Sequence, residues 1–161
     1  MIALFLGLLM LGGLSSSAMA LEYTQKQGYF KMNLPDGWKW VEFPNEVLVN
    51  YPDGKTVGID IQFAPDVVKS PAEMKKTLED SVGKMKTGVE AHNGKILNDK
   101  EMNLDGEYAR RLDFVTSSPH AVYVSYIAFF HAGDVYTIIF GNPNPNDFNT
   151  LDAVAASFKF K

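Results

Sequence analysis

The chain has 161 residues, no cysteine and a formal net charge of −4, from 15 lysines and arginines against 19 aspartates and glutamates. The absence of cysteine excludes disulfides, thiol nucleophiles, iron–sulfur clusters and cysteine-ligated zinc. The acidic balance argues against a general binder of nucleic acid or anionic membranes, because those surfaces attract proteins with a basic excess.

The first 20 residues carry no charge and predict a secretory signal peptide. The apolar run Ile2–Leu14 is followed by three serines, and Ala18 and Ala20 place small residues at positions −3 and −1 of a cut after Ala20. The run is about 13 residues, shorter than the roughly 20 that a membrane-spanning helix needs. We therefore expect cleavage, with an uncleaved tether or an ordered part of the fold as the alternatives. No Lys or Arg precedes the run, which indicates a true start codon further upstream.

Cleavage leaves about 140 residues, the usual size of one compact domain. We expect a flexible N-terminal segment over residues 21–27 and a single globular domain over residues 28–161. We further expect a periplasmic or secreted location, no membrane anchor after cleavage, and a monomer.

Alternating apolar residues predict two β-hairpins at the start of the domain. In the first, the strand Phe30–Leu34 leads into the turn Pro35-Asp36-Gly37, and a second extended segment begins at Trp38. In the second, two alternating strands within residues 47–63 flank Pro52-Asp53-Gly54. Both turns use proline to fix φ and glycine to accept a positive φ.

The period then changes from two to 3.6, which predicts a long helix from about Pro71 to about His92. Its apolar stripe consists of Met74, Leu78, Val82, Met85 and Val89. Ser70 and Glu73 form the pattern of a capping box around Pro71, and Asn93-Gly94 supplies the stop.

Four further strands are predicted, roughly over residues 96–104, 107–116, 121–131 and 135–141, and short connections make them antiparallel neighbours. The third strand is apolar on both faces, so both faces must be covered. A closing helix begins near Phe148, behind the cap residues 144–147. The sequence thus predicts an α+β fold: an antiparallel sheet of about six to eight strands with helices packed on both faces, an α/β/α sandwich.

Several segments together resemble the PsbP-like superfamily. They are GYFKMNLPDGWKW at residues 28–40, the single long helix, the four-strand meander ending in YTIIF at 136–140, and FNTLDAVAASFKF at 148–160. The group includes lumenal extrinsic proteins of photosystem II, bacterial DcrB-like periplasmic proteins and a Ran-binding import factor. The resemblance spans nearly the whole mature chain and implies an antiparallel sheet sandwiched by helices.

Members of this group are mostly accessory and binding proteins, so the resemblance implies a binding role without naming a partner. The photosynthetic branch is the less expected one, because the chain has neither a plant-type transit peptide nor the lipobox cysteine of its cyanobacterial members. The DcrB-like and PsbP-related bacterial periplasmic proteins are the branch that we expect.

Motifs of catalysis are absent from the sequence: there is no nucleophile elbow, no His-Glu-x-x-His helix and no phosphate loop. The segment Gly88–Lys95 has one residue too many between its glycines for a phosphate loop, and Ile96 follows where Ser or Thr is required. We therefore expect no catalytic residue and no cofactor, and a protein that is not an enzyme.

The spacing of the histidines argues against a shared metal ion. His120 and His131 flank one predicted strand, and eleven steps of about 3.3 Å place them too far apart to share an ion. We expect solvated loop histidines and no metal ligand. A weak surface site formed by His131 and Asp134, across a hairpin turn, is the alternative that stays open.

Four residues are candidates for a partner surface, namely Trp40, Tyr51, Arg110 and Arg111. Trp38 and Trp40 share a strand face, so either the core or a partner must cover both, and core burial is the expectation. If Trp40 or Tyr51 is exposed near a hairpin tip, that patch becomes the first interface candidate, since aromatic residues and arginine concentrate binding energy. Arg110 and Arg111 point to opposite faces of one strand, either in salt bridges or, for one of them, in recognition.

Two functions from different classes follow. The first is a non-enzymatic accessory protein of the periplasm that binds another protein or an envelope complex. The alternative is a small-ligand carrier, with a pocket between sheet and helix that is lined by aromatic residues such as Tyr123, Tyr126 and Phe130.

Overall fold

The computed structural model describes residues 21–27, 29–53, 57–64, 70–116, 121–142 and 148–161. The signal-peptide prediction, with Ala18 and Ala20, lies outside these residues. The elements in chain order are β1 (Leu21–Thr24), β2 (Phe30–Leu34), β3 (Lys39–Phe43), β4 (Glu46–Asn50), β5 (Val57–Ala64), α1 (Pro71–Ala91), β6 (Lys95–Leu104), β7 (Glu107–Thr116), β8 (Val122–His131), β9 (Asp134–Asn142), α2 (Phe148–Ser157) and β10 (Lys159–Phe160).

The predicted fold class is confirmed. A seven-stranded antiparallel sheet has the order β3-β4-β5-β9-β8-β7-β6, and a small sheet has the order β1-β2-β10. The meander β6–β9 and the hairpin of β4 with β5 form as the sequence predicted. The long helix begins at Pro71 and ends at Ala91, within one residue of its predicted end. Ser70 Oγ accepts a hydrogen bond from the Glu73 backbone N–H at 3.3 Å and donates one to Glu73 Oε2 at 2.7 Å, so Ser70 is the N-cap, whereas the Glu73 side chain contacts the Ser70 hydroxyl and not its backbone N–H.

The first predicted hairpin is wrong. β2 pairs with β1 and β10 rather than with β3, and the turn at residues 35–37 carries the chain from the small sheet to the large one. β3 instead forms a hairpin with β4 across Pro44 and Asn45. The alternation of apolar and polar residues located β2 and its buried face correctly. Such a pattern predicts which face of a strand is buried, but not which strand pairs with it.

The predicted flexible segment over residues 21–27 is also wrong in its first half. Leu21–Thr24 forms β1, and Tyr23 is only 1% exposed. The Tyr23 ring makes an edge-on contact with Trp40 at 5.1 Å, and its hydroxyl donates to Glu42 Oε1 at 2.6 Å. One buried aromatic side chain with a satisfied hydroxyl orders this otherwise polar segment and joins the small sheet to β3.

Helices lie on both faces of the large sheet, as predicted. α1 packs over β6, β7 and β8, where Leu78, Val82 and Val89 meet apolar residues of β7 and β8. α2 and the small sheet pack on the opposite face and enclose the main core. In the described part of the chain, neither helix is long and apolar enough to cross a membrane.

Helix α1 covers only part of its face. Seven strands about 4.8 Å apart make a sheet roughly 29 Å wide, whereas a helix with its side chains is about 10–12 Å in diameter. One helix therefore covers two or three strands. Among the described residues, no helix lies over β3 to β5 at the other end of this face.

Candidate partner-binding surface

The structure separates the four candidate residues of the predicted partner surface. Trp38 is buried as expected, but Trp40 on β3 is 37% exposed. Tyr51 packs against Trp38 at a ring distance of 4.4 Å, and its hydroxyl accepts a hydrogen bond from Asn142. Tyr51 is therefore packed within the protein. Among Trp38, Trp40 and Tyr51, Trp40 is the residue with a large exposed fraction.

Arg110 is mostly buried and faces α1. Its guanidinium donates to Glu79 on the helix and to Asp99 on β6. The hydrogen bond from Arg110 holds the pKa of Glu79 below its usual value. Burial, followed by the hydrogen bond that Tyr108 donates to Glu79 at 2.9 Å, raises the pKa of Tyr108 to about 12. This cluster fastens α1 to the sheet.

Arg111 points to the opposite face and is only about 5% exposed in its side chain. Its Nε donates to Asp113 Oδ1 at 2.7 Å, and its Nη1 donates to Asp152 on α2. Burial opposes its charge, but the hydrogen bonds to these two aspartates outweigh burial and raise the pKa of Arg111. The two neighbouring arginines thus hold one helix each, and both are engaged in internal ion pairs of the kind that the sequence analysis expected.

The histidines of the described residues make contacts within the protein. His131 Nδ1 lies 2.8 Å from Glu107 Oε1, and its ring stacks on Phe160 at 3.9 Å. His92 Nδ1 lies 2.8 Å from the Gly88 carbonyl oxygen. Within the described ranges, no group of three histidines or carboxylates is placed to hold a metal ion. His120 lies outside those ranges.

The aromatic residues considered for a ligand pocket are packed against protein. Tyr126 and Phe130 are buried in the cluster beneath α1, and the Tyr126 hydroxyl lies 2.8 Å from Ser81 Oγ of the helix. Tyr123 meets the ring of Phe148 edge-on at 6.3 Å. The space between sheet and helix at these residues is therefore filled by side chains.

Edge strand β3 carries the main exposed apolar surface of the large sheet. Val41 is 49% and Phe43 48% exposed, beside Trp40 on the same strand. β3 pairs only with β4 among the described strands, so its outer backbone edge has no strand beside it there. Exposed, unpaired and apolar edge strands are rare because they promote association with other chains.

The registers place Val41 and Phe43 on the same face of the sheet as α1. One cross-strand row consists of Val41, Leu48, Asp60, Ile139 and Tyr126, and the next consists of Phe43, Glu46, Gln62, Thr137 and Ala128. Tyr126 and Ala128, at one end of these rows, lie in the cluster beneath α1. Val41 and Phe43, at the other end, are about half exposed. We call the uncovered surface formed by Val41, Phe43, Glu46, Leu48 and Gln62 the open half-sheet.

A hollow of about 670 Å³ lies at one end of the open half-sheet. Its lining includes Phe43 and Glu46 on one side, Val135 and Thr137 on the other, and Gln62 between them. A smaller hollow of about 210 Å³ lies on the other side of Phe43, towards Lys26 and Glu42. Phe43 therefore stands as an exposed ridge between two concave regions.

Sequence reasoning identified Trp40 but missed Val41 and Phe43. The available signal was that β3 is apolar on both faces, which requires a cover on each side. Only one long helix precedes the meander, and its width cannot cover the whole sheet. A comparison of the width of one helix with the width of the predicted sheet would have indicated that part of this face stays uncovered.

Comparisons with known proteins bear on the fold. No family model matches the chain, and no curated protein matches it. The solution structure of cyanobacterial PsbP (CyanoP) from Synechocystis sp. PCC 6803 is similar, with a TM-score of 0.65 at 16% identity over 96% of this chain and 100% of that one.

A crystal structure from Bacteroides thetaiotaomicron VPI-5482 is also similar, with a TM-score of 0.63 at 10% identity over 88% of this chain. The match covers 48% of that chain, so the present protein spans about half of its length. Likeness at these identities concerns the fold alone. The chain has a PsbP-like fold.

Proposed function

We propose that this protein is a secreted or periplasmic accessory protein, not an enzyme, that binds another protein or an envelope complex through the open half-sheet. The observation that carries the proposal is the exposure of Val41 and Phe43 beside an unpaired strand edge in the described part of the chain. Large exposed apolar residues that are grouped rather than scattered mark interaction sites.

The chemistry of the surface indicates the kind of contact. Val41 and Phe43 are already about half buried, so covering the rest of each side chain stabilises an interface by about 1 kcal/mol per residue, before the cost of association. Glu46 and Gln62 stand beside them and supply hydrogen-bond acceptors at the rim of the larger hollow. Apolar anchors with a polar rim are the usual anatomy of a protein–protein contact.

The location and the branch of the family are part of the same proposal. The charge-free start of the chain, with Ala18 and Ala20 at the expected positions, supports export and cleavage. The PsbP-like fold supports an accessory role by analogy, and a place among the bacterial DcrB-like and PsbP-related periplasmic proteins agrees with the sequence resemblance. N-terminal sequencing of the protein from native cells should begin at Leu21, and a chain that keeps its first residues contradicts export with cleavage.

Binding is tested by affinity capture from envelope fractions of the native host with three baits: the mature wild type, Phe43→Ser and Leu97→Ser. Leu97 is the matched control, because it is 44% exposed on β6 at the opposite edge of the sheet. We expect one specific protein to be retained by wild type and by Leu97→Ser. Its recovery should fall on the order of tenfold with Phe43→Ser, the effect of losing an apolar anchor.

Two outcomes contradict the proposal. Equal recovery with all three baits places the contact elsewhere on the molecule. A small molecule that copurifies with the wild type, without any protein partner, favours the carrier function instead.

A further inference from the structure

We propose that β3 also pairs with β3 of a second copy of this chain, antiparallel, about a two-fold axis at Val41. This goes beyond the proposed function, because it concerns self-association of the strand edge and not the occupant of the open half-sheet. It also replaces the sequence-based expectation of a monomer.

The backbone of β3 presents a short and definite set of free groups. Phe43 and Glu46 close the two-residue turn to β4, so they form a hydrogen-bonded pair. Antiparallel alternation then directs the N–H and C=O groups of Lys39, Val41 and Phe43 towards β4. The corresponding groups of Trp40 and Glu42 point to the outer edge, where no described strand lies.

A two-fold axis at Val41 lets all the outward backbone groups of Trp40 and Glu42 form hydrogen bonds. It places Trp40 opposite Glu42 of the second copy, and Glu42 opposite Trp40 of the second copy. Each such pair exchanges both of its backbone hydrogen bonds, so all outward groups of these two residues are paired. An axis moved along the strand to Lys39 or Phe43 pairs fewer of these groups, and an axis moved by half a residue places side chains of opposite faces against each other.

The side chains fit the same register. On the α1 face, Val41 meets Val41 of the second copy, and Lys39 meets Phe43 of the second copy. On the other face, Trp40 lies beside Glu42 of the second copy. No two like charges oppose each other, and each charge lies beside an aromatic ring, which for lysine is a favourable contact. The Glu42 carboxylate is already satisfied by the Tyr23 hydroxyl and the Lys26 backbone N–H.

The other edge of the sheet lacks these properties. β6 has a register irregularity between Ile96 and Asn98 and exposes Asp99, Lys100 and Glu101 in succession. Bulges and charges of this kind are the usual protection against edge-to-edge pairing. β3 is free of such an irregularity in its pairing with β4, and its pattern is self-complementary.

Pairing at β3 joins the two large sheets into one of fourteen strands, since each copy contributes seven. The two-fold axis is normal to the sheet, so both copies of α1 lie on the same face, far from the junction. The two open half-sheets then adjoin each other between the helices. Self-association would double the surface that the proposed function assigns to partner binding.

The test uses the absence of cysteine from the chain, which lets an introduced thiol report a single contact. Val41 and its symmetry mate form a non-hydrogen-bonded pair with Cα atoms about 4.5 Å apart, within the range of a disulfide. Purified mature Val41→Cys should oxidise to a disulfide-linked dimer on the order of tenfold faster than the control Leu97→Cys, because pairing holds its thiols together at high effective concentration.

A second arm reads the register. Lys39→Cys alone and Phe43→Cys alone place equivalent thiols about 13 Å apart, four strand steps from their mates, beyond disulfide reach. An equal mixture of the two variants should give a mixed disulfide. Sedimentation of the wild type should show a dimer at high micromolar concentration, and Val41→Lys, which sets two like charges against each other, should stay a monomer.

The proposal is overturned if Val41→Cys links no faster than Leu97→Cys, if the wild type sediments only as a monomer, or if Lys39→Cys alone links as well as the mixture. These results leave the proposed function standing, because capture of a partner by wild type and its loss with Phe43→Ser are measured separately. Conversely, a dimer without a captured partner removes the proposed function and keeps the pairing.

Discussion

The two halves of the large sheet differ in what covers them and in how their edges end. The half with β6 to β8 lies under α1, is fastened by the ion pairs of Arg110 and Arg111, and ends in a charged edge with a register irregularity. The half with β3 to β5 has no helix of the described chain over its α1 face, and it ends in a strand that exposes Trp40, Val41 and Phe43.

Within one sheet, the covered half therefore contributes mainly to stability, and the open half is available for association. Residues that tie the covered half together are buried and paired, so their loss should destabilise the fold. Val41 and Phe43 at the open edge are about half exposed, so their loss should cost the fold less and should mainly change association. Substitutions in the covered half should therefore destabilise the protein more than substitutions at the open edge.

Replacement of Arg111 should cost the most. Arg111→Ala leaves the buried Asp113 carboxylate without its cationic partner, and removing one member of a buried ion pair costs about 3–5 kcal/mol. Denaturant unfolding measures the loss in the free energy of unfolding. Arg111→Lys, which keeps the charge but not the forked hydrogen bonds, should lose less. A loss below about 1 kcal/mol for Arg111→Ala would show that the pair does not hold the covered half together.

Tyr23→Phe should have an intermediate effect on the side of β3. The change removes the hydroxyl that donates to Glu42 and leaves the buried ring in place, for a cost of about 0.5–1.5 kcal/mol in the free energy of unfolding. Tyr29→Phe is the control, because Tyr29 is exposed. Equal effects of the two changes would mean that the Tyr23 hydroxyl does not join the small sheet to β3.

Acid should weaken the covered half by a smaller amount. The hydrogen bond from Arg110 lowers the pKa of Glu79 below its usual 4.5. Despite opposing burial, hydrogen bonds from Lys86 and Arg110 lower the pKa of Asp99 below 3.8. Their stabilisation is therefore present above these ordinary values and is lost as the pH falls through the lowered ones.

The corresponding measurement is the free energy of unfolding between pH 7 and pH 2 for wild type and Arg110→Met. Because both carboxylates are partly solvated, the difference between the two pH profiles should stay below about 1 kcal/mol. The slope near pH 3–4 should be shallower in Arg110→Met, since its carboxylates have lost the cation that lowers their pKa. Parallel profiles would contradict a role of Arg110 in this region.

Phe43→Ser should have the smallest effect on stability. Phe43 is 48% exposed, so its replacement gives up only part of a buried apolar side chain and should lower the free energy of unfolding by about 1 kcal/mol or less. The same variant should lose most of the partner binding. A strongly destabilised Phe43→Ser, measured by thermal unfolding, would mean that Phe43 is a structural residue and not part of a docking surface.

Local signals predicted the helices, the meander and the β4–β5 hairpin, but not the small sheet or the pairing of β3 with β4. The helix α1 was predicted within one residue because its apolar stripe, the Ser70 cap and the stop at Asn93 all agree, and Asn93 has the positive φ of 56° that ends such a helix. The small sheet was missed because β1 and β10 are short, and because the pairing of β10 with β2 joins segments that are far apart in sequence.

The candidate site shows the same division. A period of two correctly placed Arg110 and Arg111 on opposite faces, but their partners Glu79 and Asp152 lie on helices whose docking no local pattern specifies. Exposure of Val41 and Phe43 depends on where α1 lies across the sheet, which is a tertiary property. Trp40 was identified from the sequence because a large aromatic side chain is usually buried, either in the core of its own chain or against a partner.

The most direct test of the central claim is photo-crosslinking in living cells of the native host, with a photoreactive amino acid placed at Phe43 or at Leu97. The two positions are almost equally exposed and lie at opposite edges of one sheet. We predict a discrete adduct with another protein from position 43 and none from position 97. Equal adducts from both positions, or none from position 43, would contradict the assignment of partner binding to the open half-sheet.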